Sequence, residues 1–373
     1  MKSNTLIAVL GSGALAFGAA ACGSSTDSSS TSTAAGASTG AAAAKVNATL
    51  NGAGSTFAAP IYQQVASKLK ADGLTVNYQG VGSGDGVAQL QAGTADFAGS
   101  DPALAPEDTA KMKGPVTQVP IALGAITMSY NLSGQKSGIK LDGRTIGDIY
   151  LGKVKKWNDP EIVKLNSGLS LPGTDITVVH RSDSSGTTKG FTQFVANYSP
   201  EWKSGPGVDK DIKWPTGTGA KGNDGVAASV KQTDGAIGYV EQAYALQNAF
   251  TFADVQNKGG AFVAPTLEST SAAAEGLKVP ADLGISTIDS ANAKAYPIVS
   301  QTFLDFPTDP CKSAGASKDV AAGLSAFATY LLGSEGQDTI KQLSYAPLPA
   351  ALVSKGTAAL AKVSCNGAPV GGA

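Results

Sequence analysis

Downstream of residue 45 the chain repeats one pattern: a short apolar run, a stretch of Gly, Ser and Thr, then apolar residues at helical spacing. Ala48-Thr-Leu50 reads as a short strand and Asn51-Gly-Ala-Gly-Ser-Thr56 as the loop after it. Tyr62, Val65, Ala66 and Leu69 then form one face of a helix that Gly73 stops. A second unit runs from the strand Leu74–Gln79 through the loop Gly80–Gly86 to a helix opening with Val87, Leu90 and Gln91. The third has the strand Asp175–Val179, the loop His180–Thr187, and a helix with Phe191, Phe194, Val195 and Tyr198 on one face. A late amphipathic helix groups Val320, Leu324, Phe327 and Leu331 and ends at Gly333. Alternating strands and helices predict an α/β fold with mostly parallel sheets, whose ligands lie at the carboxyl ends of the strands.

The first 45 residues follow another pattern. Met1-Lys2 is positive, Leu6–Ala21 is apolar or small throughout, and Ala19-Ala-Ala21 leads directly into Cys22. This order is that of an export signal, and the run is shorter than the ~20 residues a bilayer span needs. A cysteine directly after small residues resembles a lipoprotein signal over residues 1–21, with Cys22 as the lipid-carrying terminus. Such signals usually have Leu where Ala19 stands, and ordinary secretion and a retained anchor are the other readings. Gly23–Ala44 holds only Gly, Ser, Thr, Ala and Asp27. It has no apolar area to offset chain entropy, so residues 22–45 read as a lipidated Cys and a flexible tether spanning roughly 25 Å. Gly36-Ala-Ser38-Thr-Gly40 matches a nucleophile elbow formally, but no strand precedes it and no helix follows.

Composition narrows the chemistry. The 373 residues carry 28 Lys+Arg against 29 Asp+Glu, which argues against a nucleic-acid surface. One histidine, His180, and three cysteines exclude a His-rich or Cys-cluster metal site, and no metal or other cofactor is expected. Arg144 and Arg181 are the only arginines, so their placement carries weight. With Cys22 taken by lipid, Cys311 and Cys365 are the pair left outside the membrane and are expected to be bridged; two unrelated buried thiols is the other reading.

Each of the three Gly/Ser/Thr loops feeds a helix N-terminus from the ligand end of a strand. Free backbone N–H groups, small side chains and hydroxyl donors together suit a small oxyanion. One such loop is weak evidence; three in one chain, one of them carrying Arg181, favour binding. A nucleotide P-loop is absent, and Gly82-Ser-Gly-Asp-Gly86 lacks dinucleotide spacing.

Four of these stretches resemble the phosphate-binding subunit of the phosphate-specific ABC transporter: Asn51-Gly-Ala-Gly-Ser-Thr-Phe57, Tyr78-Gln-Gly-Val-Gly-Ser83-Gly, Asp96-Phe-Ala-Gly-Ser-Asp101 and Arg181-Ser-Asp-Ser-Ser-Gly-Thr187. Gly147-Asp-Ile-Tyr-Leu-Gly-Lys-Val-Lys-Lys-Trp157, Gly222-Asn-Asp-Gly225, Gly235-Ala-Ile-Gly-Tyr-Val-Glu241 and Tyr345-Ala-Pro-Leu-Pro349 agree in order, so the similarity covers roughly Val46–Leu352. The resemblance implies an α/β, two-lobed, Venus-flytrap fold with hinge strands and a cleft that closes on one dehydrated phosphate. The apolar runs Val119–Tyr130 and Tyr296–Phe306 are the candidate connecting strands, giving lobe 1 as 46–125 plus 303–373 and lobe 2 as 126–302.

Carried over position by position, the resemblance makes Thr56, Phe57, Ser83, Asp101, Arg181, Ser185, Gly186 and Thr187 the phosphate ligands, with Asp183 supporting Arg181. Asp101 would accept a hydrogen bond from the P–OH group that sulfate lacks. His180 stands where relatives often carry a second basic residue, so extra positive charge beside Arg181 is not expected. Taken singly, Asp101 reads as a turn carboxylate, Thr56 and Ser185 as helix caps, and Asp183 as a loop acid. Asn223-Asp-Gly225 reads as a helix cap at the cleft rim, the three tryptophans as packing residues, and Lys153-Val-Lys-Lys156 as a solvated face. The resemblance thus implies a monomeric, lipid-anchored extracytoplasmic receptor that delivers phosphate to an ABC permease and is not an enzyme. A secreted phosphate-ester hydrolase and a surface lipoprotein without a small ligand are the competing functions.

Overall fold

The computed structural model describes residues 46–370. The export segment, Cys22 and the tether fall outside the described residues. Eight strands organise the fold: β1 (Ala48–Gly54), β2 (Leu74–Gly80), β3 (Phe97–Ser100), β4 (Val116–Asn131), β5 (Thr177–Arg181), β6 (Thr218–Ala220), β7 (Ala236–Glu241) and β8 (Val299–Pro307). Their spatial order is β2-β1-β3-β8-β4-β7-β5-β6. β1 runs parallel to β2 and β3, and β5 runs parallel to β6 and β7. The two parallel groups meet at β4, which is antiparallel to β8 on one side and to β7 on the other.

The exchange along β4 is abrupt. Val116–Ala125 pairs with Pro307–Val299, and Ile126–Asn131 pairs with Glu241–Ala236. β8 slips its register between Thr302 and Phe303, a bulge that bends the strand beside the exchange point. One 16-residue strand, buried throughout except near its ends, therefore belongs to both half-sheets. This is the two-lobed architecture expected from the sequence.

Helices α1 (Ala59–Leu69), α2 (Ser83–Ala92), α3 (Gly186–Tyr198), α4 (Gly222–Gln232) and α5 (Lys318–Leu332) cover the faces of these sheets. Aromatic side chains tie the layers together. Phe97 of β3 meets Tyr62 of α1 and Phe327 of α5 with ring centroids 5.6 and 5.5 Å apart. Phe191 of α3 stacks on Tyr239 of β7 at 4.4 Å. Trp157 and Trp202 are buried and Trp214 is partly buried beside Trp202, whereas Lys153 and Lys156 pair with Glu201 and Asp175 at the surface. No described helix is long and apolar enough to cross a membrane.

Two of the expected loops are shorter than their composition suggests. β1 continues through Gly52 and Gly54, residues poor in β propensity, because the sheet leaves no room for side chains there. A Cβ on Gly52 would lie 2.0 Å from the Phe97 ring, and one on Gly54 2.1 Å from the Gly99 carbonyl oxygen. Likewise β5 extends to Arg181, which places the guanidinium at the last strand position rather than in the loop.

Cys311, on the short helix Pro310–Ala314, is bridged to Cys365 across 54 residues with Cα atoms 4.9 Å apart. Loop-closure entropy for that separation corresponds to about 4 kcal/mol as an upper value. Replacing both cysteines by serine should lower the unfolding free energy by up to that amount in urea titration; an unchanged midpoint would show that the bridge constrains nothing.

Candidate functional site

Every candidate residue lies at or just beyond the carboxyl end of a strand. β1 ends at Gly54 and leads through Ser55–Ala58 into α1; β2 ends at Gly80 and leads through Gly82 into α2. β3 ends at Ser100, next to Asp101, and β5 ends at Arg181, five residues before α3. The side chains of Thr56, Ser83, Asp101, Arg181, Ser185 and Thr187 are all buried, and Phe57 is fully enclosed. Phe57 packs against Tyr345, whose hydroxyl donates to the Phe57 carbonyl at 2.5 Å. That bond fixes the backbone directly ahead of α1.

Asp101 is the acidic member. Its Oδ2 accepts from the Ser83 hydroxyl at 3.3 Å and its Oδ1 from Thr302 Oγ1 at 3.2 Å, while its own N–H donates to Ser83 Oγ at 3.3 Å. Burial pushes its carboxyl up to about 6, although the Ser55 hydroxyl, the charge of Arg181 and the Thr302 and Ser83 hydroxyls hold it down. Ser83 is thus engaged with Asp101, a contact its expected role did not include.

The opposite half supplies the positive member. Arg181 is 3% exposed and paired two ways with Asp183: Nε donates to Oδ1 at 2.7 Å and Nη2 to Oδ2. Asp183 also accepts from the Gly222 N–H at 3.1 Å. Burial raises its carboxyl, but the Arg181 hydrogen bonds and charge outweigh this and hold it below the usual range. Arg181 Nη1 reaches Thr187 Oγ1 at 3.3 Å. Ser185 caps α3 by accepting from the Thr188 N–H at 3.1 Å, which leaves its hydroxyl proton free. His180 stacks on Trp214 with centroids 4.5 Å apart, and its Nδ1–H donates to the Arg181 carbonyl at 3.0 Å. Burial pushes its pKa down, so it adds no second cation beside Arg181.

The halves touch across the site. Tyr244 donates to the Thr56 carbonyl at 2.6 Å, and the Gly84 N–H donates to the Ser184 carbonyl at 3.0 Å. Gly186 lies so close to Asp101 that a Cβ would sit 1.8 Å from the Asp101 carbonyl oxygen, which is why α3 opens with glycine. At the rim Lys210 Nζ is 3.2 Å from Asp108 Oδ2, and the Lys210 carbonyl accepts from the Ser185 N–H.

Asn223 is the residue that sequence reasoning misplaced. The N-cap of α4 is Lys221, and Asn223 lies inside the first turn, fully buried against Thr56 and Thr187. Its place in a Gly-Asn-Asp-Gly run resembles a cap, and only the packing of the opposite half onto α4 shows otherwise. Among the described residues no three His, Cys, Asp or Glu side chains converge as a metal site.

Residues 33–335 match the family model of the PBP superfamily domain. A high-affinity periplasmic phosphate-binding protein solved with phosphate superposes with a TM-score of 0.69 at 24% identity, over 83% of this chain and 93% of that one. A substrate-binding protein from Clostridium perfringens gives 0.59 at 18%, over 81% and 100%. Fold and sequence together place the chain among the two-lobed binding proteins of this superfamily. Phosphate-binding protein PstS of Haemophilus influenzae is 41% identical over 313 residues, 82% of this chain and 90% of the relative. Phosphate-binding protein PstS 3 of Mycobacterium tuberculosis is 33% identical over 361 residues, 92% of this chain and 94% of the relative. The chain belongs to the PstS phosphate-binding protein family.

Behind Asp101 lies a second buried acid, Asp305, which accepts from the Ser100 hydroxyl at 2.6 Å and has no partner on Oδ1. Burial pushes its carboxyl up to about 7. A raised acid stabilises the fold while protonated, so this contribution is complete below pH 3.8 and lost as pH rises to about 7. In ligand-free protein, Asp305→Asn should melt higher than wild type at pH 8, with the difference vanishing below pH 4. An Asp305→Asn advantage that does not change with pH would contradict the titration.

Proposed function

We propose that the chain is an extracytoplasmic receptor, lipid-anchored at Cys22, that binds inorganic phosphate between its lobes and hands it to an ABC permease. The observation that carries this reading is one buried guanidinium and one buried carboxylate, presented by opposite half-sheets among hydroxyl groups and the N-terminus of α3. The likeness to proteins named as phosphate-binding supports it. In this reading the molecule acts as a monomer and binds without chemical turnover. Residues 46–125 with 303–373 form one lobe and 126–302 the other, hinged where β4 changes partner.

Thr56, Phe57, Ser83, Ser185, Gly186 and Thr187 surround the ion with N–H and O–H donors, and Arg181 adds the one permanent charge. Charge-assisted hydrogen bonds contribute about 1.5–3 kcal/mol each. Several of them exceed the roughly 8 kcal/mol of micromolar binding after ordering costs. Asp101 supplies selectivity. Phosphate near neutral pH keeps a proton to donate to the carboxylate, whereas sulfate would set two unprotonated oxygens against each other in a dry cleft.

Titration calorimetry in phosphate-free buffer tests the reading: phosphate should bind and sulfate should not at pH 7.5. Arg181→Ala should weaken phosphate at least about 100-fold, the scale of a lost buried charge contact. Because Asp101 titrates near 6, sulfate binding should appear as pH falls below that value, and Asp101→Asn should bind sulfate at both pH values. Wild-type protein that takes sulfate at pH 7.5 would remove the Asp101 argument. Turnover of p-nitrophenyl phosphate would favour a hydrolase instead.

A further inference from the structure

We infer that Asn223 is a positioning residue that forces the Thr56 and Thr187 hydroxyls to act as donors only, so that each must spend its proton on the bound anion; the inference rests on the phosphate reading above. A hydroxyl has one proton and two lone pairs, and left alone it donates or accepts as its surroundings ask. Here the lone pairs are already taken. Thr56 Oγ1 accepts from the Asn223 backbone N–H at 3.1 Å and from its amide Nδ2 at 3.0 Å. Thr187 Oγ1 accepts from the same Nδ2 at 3.3 Å and from Arg181 Nη1 at 3.3 Å.

The amide cannot be turned round. Asn223 Oδ1 accepts from the Glu241 backbone N–H at 2.9 Å, a group that only donates, so the NH2 end must face the two hydroxyls. Asn223 and Thr187 come from one half of the molecule and Thr56 from the other. The Thr56 hydroxyl therefore becomes a committed donor only when the halves meet. An anion with acceptors on every side then satisfies both hydroxyls, and water, which offers protons as well as lone pairs, satisfies them less well.

The test is a pair of double-mutant cycles read by phosphate calorimetry at pH 7.5: Asn223→Ala with Thr56→Val, and Asn223→Ala with Thr187→Val. Each single change should weaken binding about 10- to 100-fold. In each cycle the double variant should lose clearly less than the product of the two singles, because the amide has one hydroxyl fewer to commit. Asn223→Asp keeps the shape but replaces the NH2 donor with an acceptor that draws the hydroxyl protons to itself. It should bind more weakly than Asn223→Ala, provided both melt within a few degrees of wild type without phosphate. Losses that multiply in both cycles, or Asn223→Asp binding better than Asn223→Ala, would overturn the inference. A wild-type protein that binds no phosphate would instead overturn the functional reading beneath it.

Discussion

A cation taken out of water has to be matched on every face, and the site is arranged around that demand at Arg181. Asp183 meets the guanidinium two ways and accepts a third hydrogen bond from the Gly222 N–H. Arg181 Nη1 is thereby left pointing at Thr187. A lysine could not divide itself in this manner, since an ammonium has no planar fork to share between a fixed partner and a guest. Near neutrality on its own side of the cleft, the pair adds orientation to the site more than raw charge.

The same restraint extends to the other half. Asp101 is kept from a full desolvation penalty by hydroxyls and by the field of Arg181, so it can be ionised near neutral pH while enclosed. Asp101 is thus tuned by the charge of Arg181 and by neutral donors. On the proposed reading, an ion of the wrong protonation state would upset that balance more than one of slightly wrong size, because unpaired buried polar atoms cost more than a small misfit.

Much of this was readable before any coordinates. The alternation of strand, Gly/Ser/Thr loop and helix announced the α/β class, and the cysteine count pointed to the bridge at Cys311–Cys365. The loops placed Thr56 and Ser83 just beyond strand ends, the resemblance supplied Asp101 directly after β3, and Arg181, expected in a loop, closes β5 instead. What could not be read was set by packing between distant segments. Gly52 and Gly54 look like loop residues until Phe97 and Gly99 are laid against them. Asn223 looks like a cap until Thr56, 167 residues away, is brought onto it. His180, from which no second charge beside Arg181 was expected, is covered by Trp214 in a way the sequence does not show.

The placement of β8 has a consequence for how the chain matures. β3 and β4 are neighbours in sequence but not in space, because residues 299–307 lie between them in the sheet. The amino-terminal half-sheet stays open until most of the polypeptide has been made. Such non-local pairing is slow and leaves strand edges exposed meanwhile. The sheet that begins with β1 is therefore completed by a strand more than two hundred residues further along the chain, so its closure comes late in folding.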